Sequence, residues 1–221
     1  MNKKTVYTAD LFDCNIPYLK SLFDECEYPW QIVASIKDFI LKMIECGIDG
    51  YELINGNTLI GKNVKISPNA EICGPAIIGS NTEIRIGAFL RGNVIIGENC
   101  VVGNSCEVKN SVLLNGVQVP HYNYVGDSVL GNKSHLGAGS VCSNLKNDNK
   151  EVVVHGDTDY QTGMRKLGAI LADNANVGCG CVLNPGTVIG KNTAVYPMVA
   201  VRGVIPSDKI VKSADCIVER S

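Results

Sequence analysis

Aliphatic residues recur at every sixth position over a long stretch of the chain, and the position four residues after each of them is nearly always small. The first run of aliphatic positions contains Ile60, Ile66, Ile72, Ile78, Ile84, Leu90, Ile96, Val102, Val108 and Leu114. The second run contains Leu171, Val177, Leu183, Ile189, Val195 and Val201. Because all sixteen positions are aliphatic, the period is a structural repeat and not a coincidence.

A six-residue period is typical of a parallel β-helix, an all-β fold in which three hexapeptides form one triangular rung of about 18 residues. The aliphatic residue points into the prism and stacks on its equivalents in the neighbouring rungs. The small residue packs near the corner, where a larger side chain would clash. Three cysteines, Cys100, Cys106 and Cys181, occupy small positions. We interpret them as packed hydrophobic side chains and not as metal or redox sites.

The first 55 residues lack the six-residue period and show helical patterning instead. Pro29 begins an amphipathic helix that Gly47 ends, and a shorter helix is predicted from Ile16 to Cys26. We expect these helices to cover the first rung, with Trp30 in their core. The chain is therefore divided into a helical cap over 1–55, a β-helix over 56–212 and a C-terminal tail over 213–221.

The repeat is interrupted twice, and both interruptions are rich in polar residues. From Leu114 to Leu130 is 16 residues and not 18, so residues 117–127 are predicted to leave the wall as a loop. A longer polar excursion is predicted over residues 144–169. Because long loops in compact folds are often functional, we expect the chemistry of the protein near these segments.

Two basic residues occupy outward positions one rung apart. Arg91 and Lys109 each follow an inward aliphatic residue, so they are expected to stack at about 4.8 Å. Like charges in this position repel, and a bound anion such as a phosphate would relieve the repulsion. The alternative is that the side chains splay into water, or that one of them pairs with Glu107. His121, on the irregular segment beside this pair, is a candidate acid–base residue.

Composition and charge exclude several classes of function. The formal net charge of −2 gives no electrostatic argument for a nucleic-acid or membrane partner. The N-terminal residues do not form a targeting signal, and no apolar stretch is long enough to span a membrane. We therefore expect a cytoplasmic protein whose ten cysteines are reduced.

No metal is expected to be required. Cys179 and Cys181 form a C-x-C pair, which is a weak metal signal. The three histidines, His121, His135 and His155, lack the spacing of the zinc site in γ-type carbonic anhydrases, which share the predicted fold.

Two segments resemble a known family. The stretch VPHYNYVGDSVLGNKSHLGAGSVCSNL resembles the C-terminal acetyltransferase domain of the bifunctional UDP-N-acetylglucosamine pyrophosphorylase/glucosamine-1-phosphate N-acetyltransferases. The stretch TGMRKLGAILADNANVG is similar to the archaeal-type sugar-phosphate nucleotidylyltransferase/acetyltransferases. The resemblance, which extends over residues 57–212, implies a trimeric left-handed β-helix. It also implies the transfer of an acetyl group from acetyl-CoA to the amine of an amino-sugar 1-phosphate.

The resemblance implies a role for several residues on the substrate side. Arg91 and Lys109 match the residues that bind the sugar phosphate, and His121 matches the catalytic base. Tyr124 and Asn144 match sugar-site residues, and Asn144 also lies near the reacting centre. Direct transfer then needs no acetyl-cysteine intermediate.

Other matches concern the outer part of the substrate site and the cofactor. Lys150 matches a further basic substrate contact, whereas His135 stands where the family often has asparagine, which leaves the sugar selectivity open. The positions implied to bind acetyl-CoA are Ala138, Cys179, Pro197 and Lys212. Cys179 departs from the family, which has serine there.

The chain is expected to lack nucleotidyltransferase activity, because no glycine-rich nucleotide loop precedes the repeat.

Two alternatives to the acetyl transfer onto an amino-sugar 1-phosphate remain open. An acetyltransferase for another amino sugar or a nucleotide sugar would use the same chemistry. A non-catalytic module for sugar-phosphate binding or assembly would share the fold.

Overall fold

Three walls of short parallel strands wind around one aliphatic interior, so the predicted parallel β-helix is confirmed. The structure is a computed structural model that describes residues 5–220. The helices are α1 Thr8–Leu11, α2 Lys20–Glu25 and α3 Pro29–Cys46. The predicted helix from Pro29 is confirmed. The helix predicted from Ile16 begins only at Lys20, because residues 17–19 form turns.

The strands are two to five residues long, as tight triangular rungs require. In chain order they are β1 Glu52–Ile54, β2 Thr58–Ile60, β3 Lys65–Ile66, β4 Glu71–Ile72, β5 Ala76–Ile78, β6 Glu83–Ile84, β7 Phe89–Leu90, β8 Val94–Ile96, β9 Val101–Asn104, β10 Glu107–Lys109, β11 Ser111–Leu113, β12 Gln118–His121, β13 Tyr124–Gly126, β14 Val129–Leu130, β15 His135–Leu136, β16 Val141–Cys142, β17 Val153–His155, β18 Asp159–Gln161, β19 Ala169–Leu171, β20 Asn176–Val177, β21 Val182–Leu183, β22 Thr187–Ile189, β23 Ala194–Val195, β24 Ala200–Val201, β25 Val204–Ile205, β26 Lys209–Ser213 and β27 Cys216–Glu219.

Each wall is one sheet whose strands come from successive rungs. The first wall has the order β1-β2-β5-β8-β11-β14-β19-β22-β25. The second wall has the order β27-β26-β23-β20-β15-β12-β9-β6-β3, and the third has β24-β21-β16-β13-β10-β7-β4. The chain leaves the second wall for the third at one corner, and the third wall for the first at another. These two corners carry the candidate chemistry.

The predicted loop over residues 117–127 is wrong, because this segment lies in the walls as β12 and β13. Ile96 pairs with Leu113, which pairs with Leu130, so each of these two rungs is one residue short of 18. The missing residue comes from the corner between the third and first walls. As a result Leu113, and not the predicted Leu114, faces the interior, while Leu114 packs on the outside.

The N-terminal helices lie along the outer face of the first wall, so the prediction that they cover the first rung is wrong. Helix α3 contacts β8, β11 and β14. The first wall needs this cover because its outward residues are aliphatic: Ile77, Ile95, Val112, Val129, Ile170 and Val188. Asp173, which follows β19, binds the segment after α1 to the solenoid, since its Oδ2 accepts a 2.8 Å hydrogen bond from the backbone N–H of Asp13.

The excursion between β16 and β19 carries an antiparallel hairpin of β17 and β18. Val152 and Val154 of this hairpin are buried in the same apolar cluster as the helices. Tyr160 packs against Tyr28 and Trp30, whose rings stack with centroids 4.7 Å apart. The helices and the inserted hairpin therefore support each other through aromatic contacts.

Substituting Trp30 with alanine is expected to destabilise the fold by about 3–5 kcal/mol, because the indole is nearly fully buried between the helices and the hairpin. Chemical denaturation measures the free energy of unfolding. Lys37→Ala, at an exposed position of the same helix, is the control and should change this free energy little. A Trp30→Ala variant as stable as the wild type would contradict the packing described here.

At each end of the solenoid an added antiparallel strand covers the edge of one wall. Strand β1 pairs with β2 at one end, and β27 folds back on β26 at the other. Residues predicted as a tail thus form a hairpin that begins at Lys209. Pairing in this way covers sheet edges that would otherwise be open.

The cysteines at small repeat positions are buried in the prism, as predicted. Burial raises the pKa of the Cys100 thiol to about 12, and that of Cys142 likewise. A thiol with so high a pKa is a poor nucleophile and a poor metal ligand at neutral pH.

No helix within residues 5–220 is long and apolar enough to cross a membrane.

Candidate functional site

Arg91 and Lys109 are neighbours on the outer face of the third wall. Their strands pair through Leu90 and Val108, the residues immediately before them. Each cation has a carboxylate partner: Arg91 Nη1 lies 2.7 Å from Glu107 Oε1, and Lys109 Nζ lies 3.3 Å from Asp127 Oδ2. The structure therefore realises the alternative in which Arg91 pairs with Glu107, and the stacked charges are compensated within the chain.

Asp127 organises the residues around Lys109. It occupies the corner between the third and first walls with a positive φ of 50°, and only 4% of it is exposed. Its carboxylate accepts hydrogen bonds from the Asn110 amide at 2.9 Å and the Asn144 amide at 2.5 Å, in addition to the Lys109 contact. One buried carboxylate thus fixes three polar side chains by charge-assisted contacts.

Tyr124 and Asn144 complete this group of residues. The Asn144 side-chain amide donates to the Tyr124 hydroxyl at 3.1 Å. The phenol lies across Gly126, where a Cβ atom would approach the hydroxyl oxygen to 2.5 Å. Partial burial, followed by the charges of Asp127 and Glu107, raises the pKa of Tyr124, so the hydroxyl keeps its proton. We call Arg91, Lys109, Tyr124, Asp127 and Asn144 the third-wall cluster.

His121 lies at a different place, at the end of β12 and at the corner between the second and third walls. It is exposed, and its ring forms no hydrogen bond with any residue in the described range 5–220. Its backbone carbonyl accepts a 3.0 Å hydrogen bond from Gly139 on the next rung. The imidazole is therefore free to contact a bound molecule.

The residues predicted to contact acetyl-CoA continue the line of His121 along the same corner. The Gly180 N–H donates to the Ala138 carbonyl at 2.8 Å, and the Met198 N–H donates to the Cys179 carbonyl at 2.9 Å. These are the same rung-to-rung hydrogen bonds as the one that the His121 carbonyl accepts from Gly139. Pro197 precedes Met198 and takes the equivalent place on the last of these rungs. We call His121, Ala138, Cys179 and Pro197 the corner column. Lys212 follows it on β26.

One chain does not bring all the predicted residues together. The corner column and the third-wall cluster lie at opposite edges of the third wall. Because a strand of this wall such as β13 has three residues, the two edges are about 10 Å apart. His135 is on the second wall, where its Nδ1 lies 3.1 Å from Asn176 Oδ1. Lys150 lies in the excursion, and its amide bonds to the Asp148 side chain at 3.1 Å.

Sequence reasoning missed Asp127 and Asn110 as members of the site, and it named Glu107 only as an alternative partner of the two cations. Asp127 stands in the motif H-x-x-Y-x-G-D, so its position was visible, but its burial under three donors was not. Within residues 5–220 no group of three or more His, Cys, Asp or Glu side chains is arranged to hold a metal ion. That the activity needs no metal remains a prediction.

Comparisons with known proteins agree with this fold. The model of the GMPPB C-terminal domain matches residues 72–161. The protein named bifunctional protein GlmU of Methanococcus maripaludis strain C7 is 37% identical over 203 residues, which is 90% of this chain and 49% of that protein. The bifunctional sugar-1-phosphate nucleotidylyltransferase/acetyltransferase of Sulfurisphaera tokodaii is 39% identical over 90 residues, covering 40% of this chain and 22% of that protein.

A solved structure supports the fold independently of close sequence similarity. The crystal structure of a UDP-N-acetylglucosamine acyltransferase superposes with a TM-score of 0.58 at 17% identity, covering 74% of this chain and 62% of the other. This similarity shows the β-solenoid fold. The chain spans about half the length of the GlmU protein it matches over 203 residues.

Proposed function

We propose, on the premise that this chain is an acyltransferase-domain homologue of the GlmU proteins and of the sugar-1-phosphate nucleotidylyltransferase/acetyltransferases, that it transfers an acetyl group from acetyl-CoA to the amine of an amino-sugar 1-phosphate. The observation that carries the proposal is the third-wall cluster. There, two cations on adjacent strands lie beside the hydroxyl of Tyr124 and the amide of Asn144. A phosphate and a sugar hydroxyl need donors and acceptors of this kind.

The proposed chemistry is direct transfer. An ammonium group is not a nucleophile, so His121 first accepts a proton from the acceptor amine, and the nitrogen lone pair then attacks the thioester carbon. Of the backbone N–H groups at Gly137 and Ala138, the Gly137 N–H already donates to the Val177 carbonyl at 2.7 Å, so the Ala138 N–H in the corner column stabilises the tetrahedral oxyanion. The C–S bond then breaks and releases the CoA thiolate, which takes up a proton.

Phosphate binding must compete with the carboxylates already in the cluster. Glu107 and Asp127 pair with Arg91 and Lys109 within the chain. Both cations keep further N–H donors, because a guanidinium has five and an ammonium has three. The phosphate is therefore expected to share the cations with the carboxylates, which keep the cluster ordered before the substrate arrives.

A homotrimer would bring the two halves of the site together. The corner column and the third-wall cluster lie at opposite edges of one wall, so a neighbouring copy can place its corner beside the cluster. The corner also exposes large apolar residues: Ile86 is 54% exposed, Tyr122 is 62% exposed and Met198 is 81% exposed. Tyr122 and Met198 have positive φ values of 52° and 63°, which are unfavourable for large side chains.

Sedimentation analysis at micromolar concentration is expected to show a trimer, and Met198→Glu is expected to shift the distribution toward monomer. A charge placed at a buried apolar contact would lose its hydration without gaining a partner. Leu41→Glu is the control, because Leu41 is also apolar and 41% exposed but lies on α3. A wild-type monomer would contradict both the assembly and the shared site.

The activity is tested by the release of CoA thiol from acetyl-CoA with a panel of acceptors. Glucosamine 1-phosphate, galactosamine 1-phosphate and a nucleotide-linked amino sugar separate the proposal from its closest alternative. Turnover with a sugar 1-phosphate supports the proposed function. Turnover with the nucleotide sugar alone supports the alternative, an acetyltransferase for nucleotide-linked amino sugars. No thiol release with any acceptor would favour a non-catalytic binding module.

A further inference from the structure

A groove of about 370 Å³ lies between the third wall and the inserted hairpin. None of its lining residues belongs to the third-wall cluster or to the corner column, although Ser143 and Leu145 flank Asn144 of the cluster in the chain. Arg202 follows β24 on one side of it, and His155 ends β17 on the other. Lys146 belongs to the start of the excursion, and Ser143 and Asn184 form part of the wall-side lining. Basic side chains from three different elements therefore meet in one groove.

The geometry of His155 is fixed by its two neighbours. Its Nδ1 lies 2.7 Å from Asp159 Oδ1, and its Nε2 lies 3.2 Å from Arg202 Nη2. Because a guanidinium can only donate, Nε2 must accept, and the proton of the neutral ring then lies on Nδ1 and bonds to Asp159. Asp159 thus holds the imidazole so that Nε2 faces Arg202.

Arg202 has no carboxylate within 4 Å among residues 5–220, unlike Arg85 and Arg91, which each pair with a glutamate. One of its five N–H groups points to His155, and the others are available to a molecule in the groove. Lys146 is already partly compensated, because its Nζ lies 3.4 Å from Asp148 Oδ2. Arg202 is therefore the cation that an anion in this groove would contact first.

We propose that this groove binds a phosphate group through Arg202, with His155 and Lys146 as secondary contacts. The planar guanidinium offers the paired donors that a phosphate accepts. Asp159 holds one side of the His155 ring and Nε2 on the other side contacts Arg202, so His155 orients the guanidinium toward the groove.

The phosphate in this groove is not the one at the third-wall cluster. Lys109 and Arg202 lie on the same wall, separated by the strand series β10, β13, β16, β21 and β24. Four strand spacings amount to about 19 Å, which exceeds the size of a sugar phosphate. The bound group is either free inorganic phosphate or the distant diphosphate of a longer, nucleotide-linked molecule. Only this second source depends on the acceptor of the transfer, since it requires the nucleotide-sugar alternative to the proposed function.

The test follows the ring signals of the three histidines by NMR during titrations with inorganic phosphate and, separately, with UDP, in the absence of acetyl-CoA. His155→Gln identifies the His155 signal. The signal is expected to shift in a saturable way, and Arg202→Gln is expected to raise the midpoint at least about tenfold. Lys146→Gln, at a half-buried position whose ammonium already contacts Asp148, should raise the midpoint by a smaller factor.

Arg85→Gln is the matched control, because it removes an arginine charge outside the groove. Saturation by phosphate alone assigns the site to free phosphate, and tighter saturation by UDP assigns it to a nucleotide-linked molecule. A His155 signal that does not respond to either ligand overturns the proposal. An unchanged midpoint in both Arg202→Gln and Lys146→Gln also overturns it. Because no acetyl transfer is measured, these outcomes are independent of the proposed activity.

Discussion

His121→Ala is expected to lower the turnover of acetyl transfer by about 10²–10⁴-fold, the usual contribution of a general base. The affinity for the sugar phosphate should change little, because the phosphate contacts lie across the third wall from His121. The melting temperature should stay at the wild-type value, since the exposed ring forms no hydrogen bond with residues 5–220. Steady-state thiol release and thermal unfolding measure the two effects.

His135→Ala is the matched control for this experiment. His135 is also a partly exposed histidine on a strand end, but its ring bonds to Asn176 on the second wall, away from the corner column. Because His135 stands at a position that matches the substrate site, its removal is expected to change the KM for the acceptor and to lower turnover far less than His121→Ala does. If His121→Ala keeps full turnover, or loses activity only in proportion to unfolded protein, His121 is not the base.

The parallel β-helix could be predicted because the period constrains every rung in the same way. The exact register could not, since Leu113 and Leu114 are both aliphatic and either satisfies the pattern. The shortening by one residue at a corner, repeated on the next rung, decided between them. The same shortening converted the predicted loop around His121 into strands β12 and β13.

The position of the helices was predictable in principle from a pattern within the repeat. On the first wall the residue before the inward aliphatic is itself aliphatic, as at Ile77 and Ile95, whereas on the second and third walls it is often charged, as at Glu83 and Glu107. A strand that is apolar on both faces needs cover on its outer side. The helices provide that cover.

The site was only partly accessible from the sequence, because outward stacking follows from the period whereas ion pairing does not. The stacking of Arg91 on Lys109 required only the 18-residue rung. The pairing of Arg91 with Glu107 and of Lys109 with Asp127 depends on side-chain reach across strands and corners. Charge repulsion alone therefore gave an incomplete argument for a bound anion.

Arg91→Ala is expected to raise the KM for the sugar 1-phosphate by about ten- to a hundredfold, with a smaller effect on turnover. Two effects contribute. The phosphate loses a charge-assisted donor, and the Glu107 carboxylate loses the partner that lies 2.7 Å away. The freed negative charge then repels the phosphate. Steady-state kinetics with varied sugar phosphate and saturating acetyl-CoA separates KM from turnover.

The double variant Arg91→Ala/Glu107→Gln distinguishes the two contributions. Glutamine removes the repelling charge but does not replace the guanidinium, so the KM should fall part of the way back toward wild type. Glu107→Gln alone frees Arg91 from its intramolecular partner and should leave the KM equal to or below the wild-type value. A double variant with the same KM as Arg91→Ala would show that Glu107 does not act on the phosphate. An Arg91→Ala variant with the wild-type KM would remove the stacked cations from the phosphate site altogether.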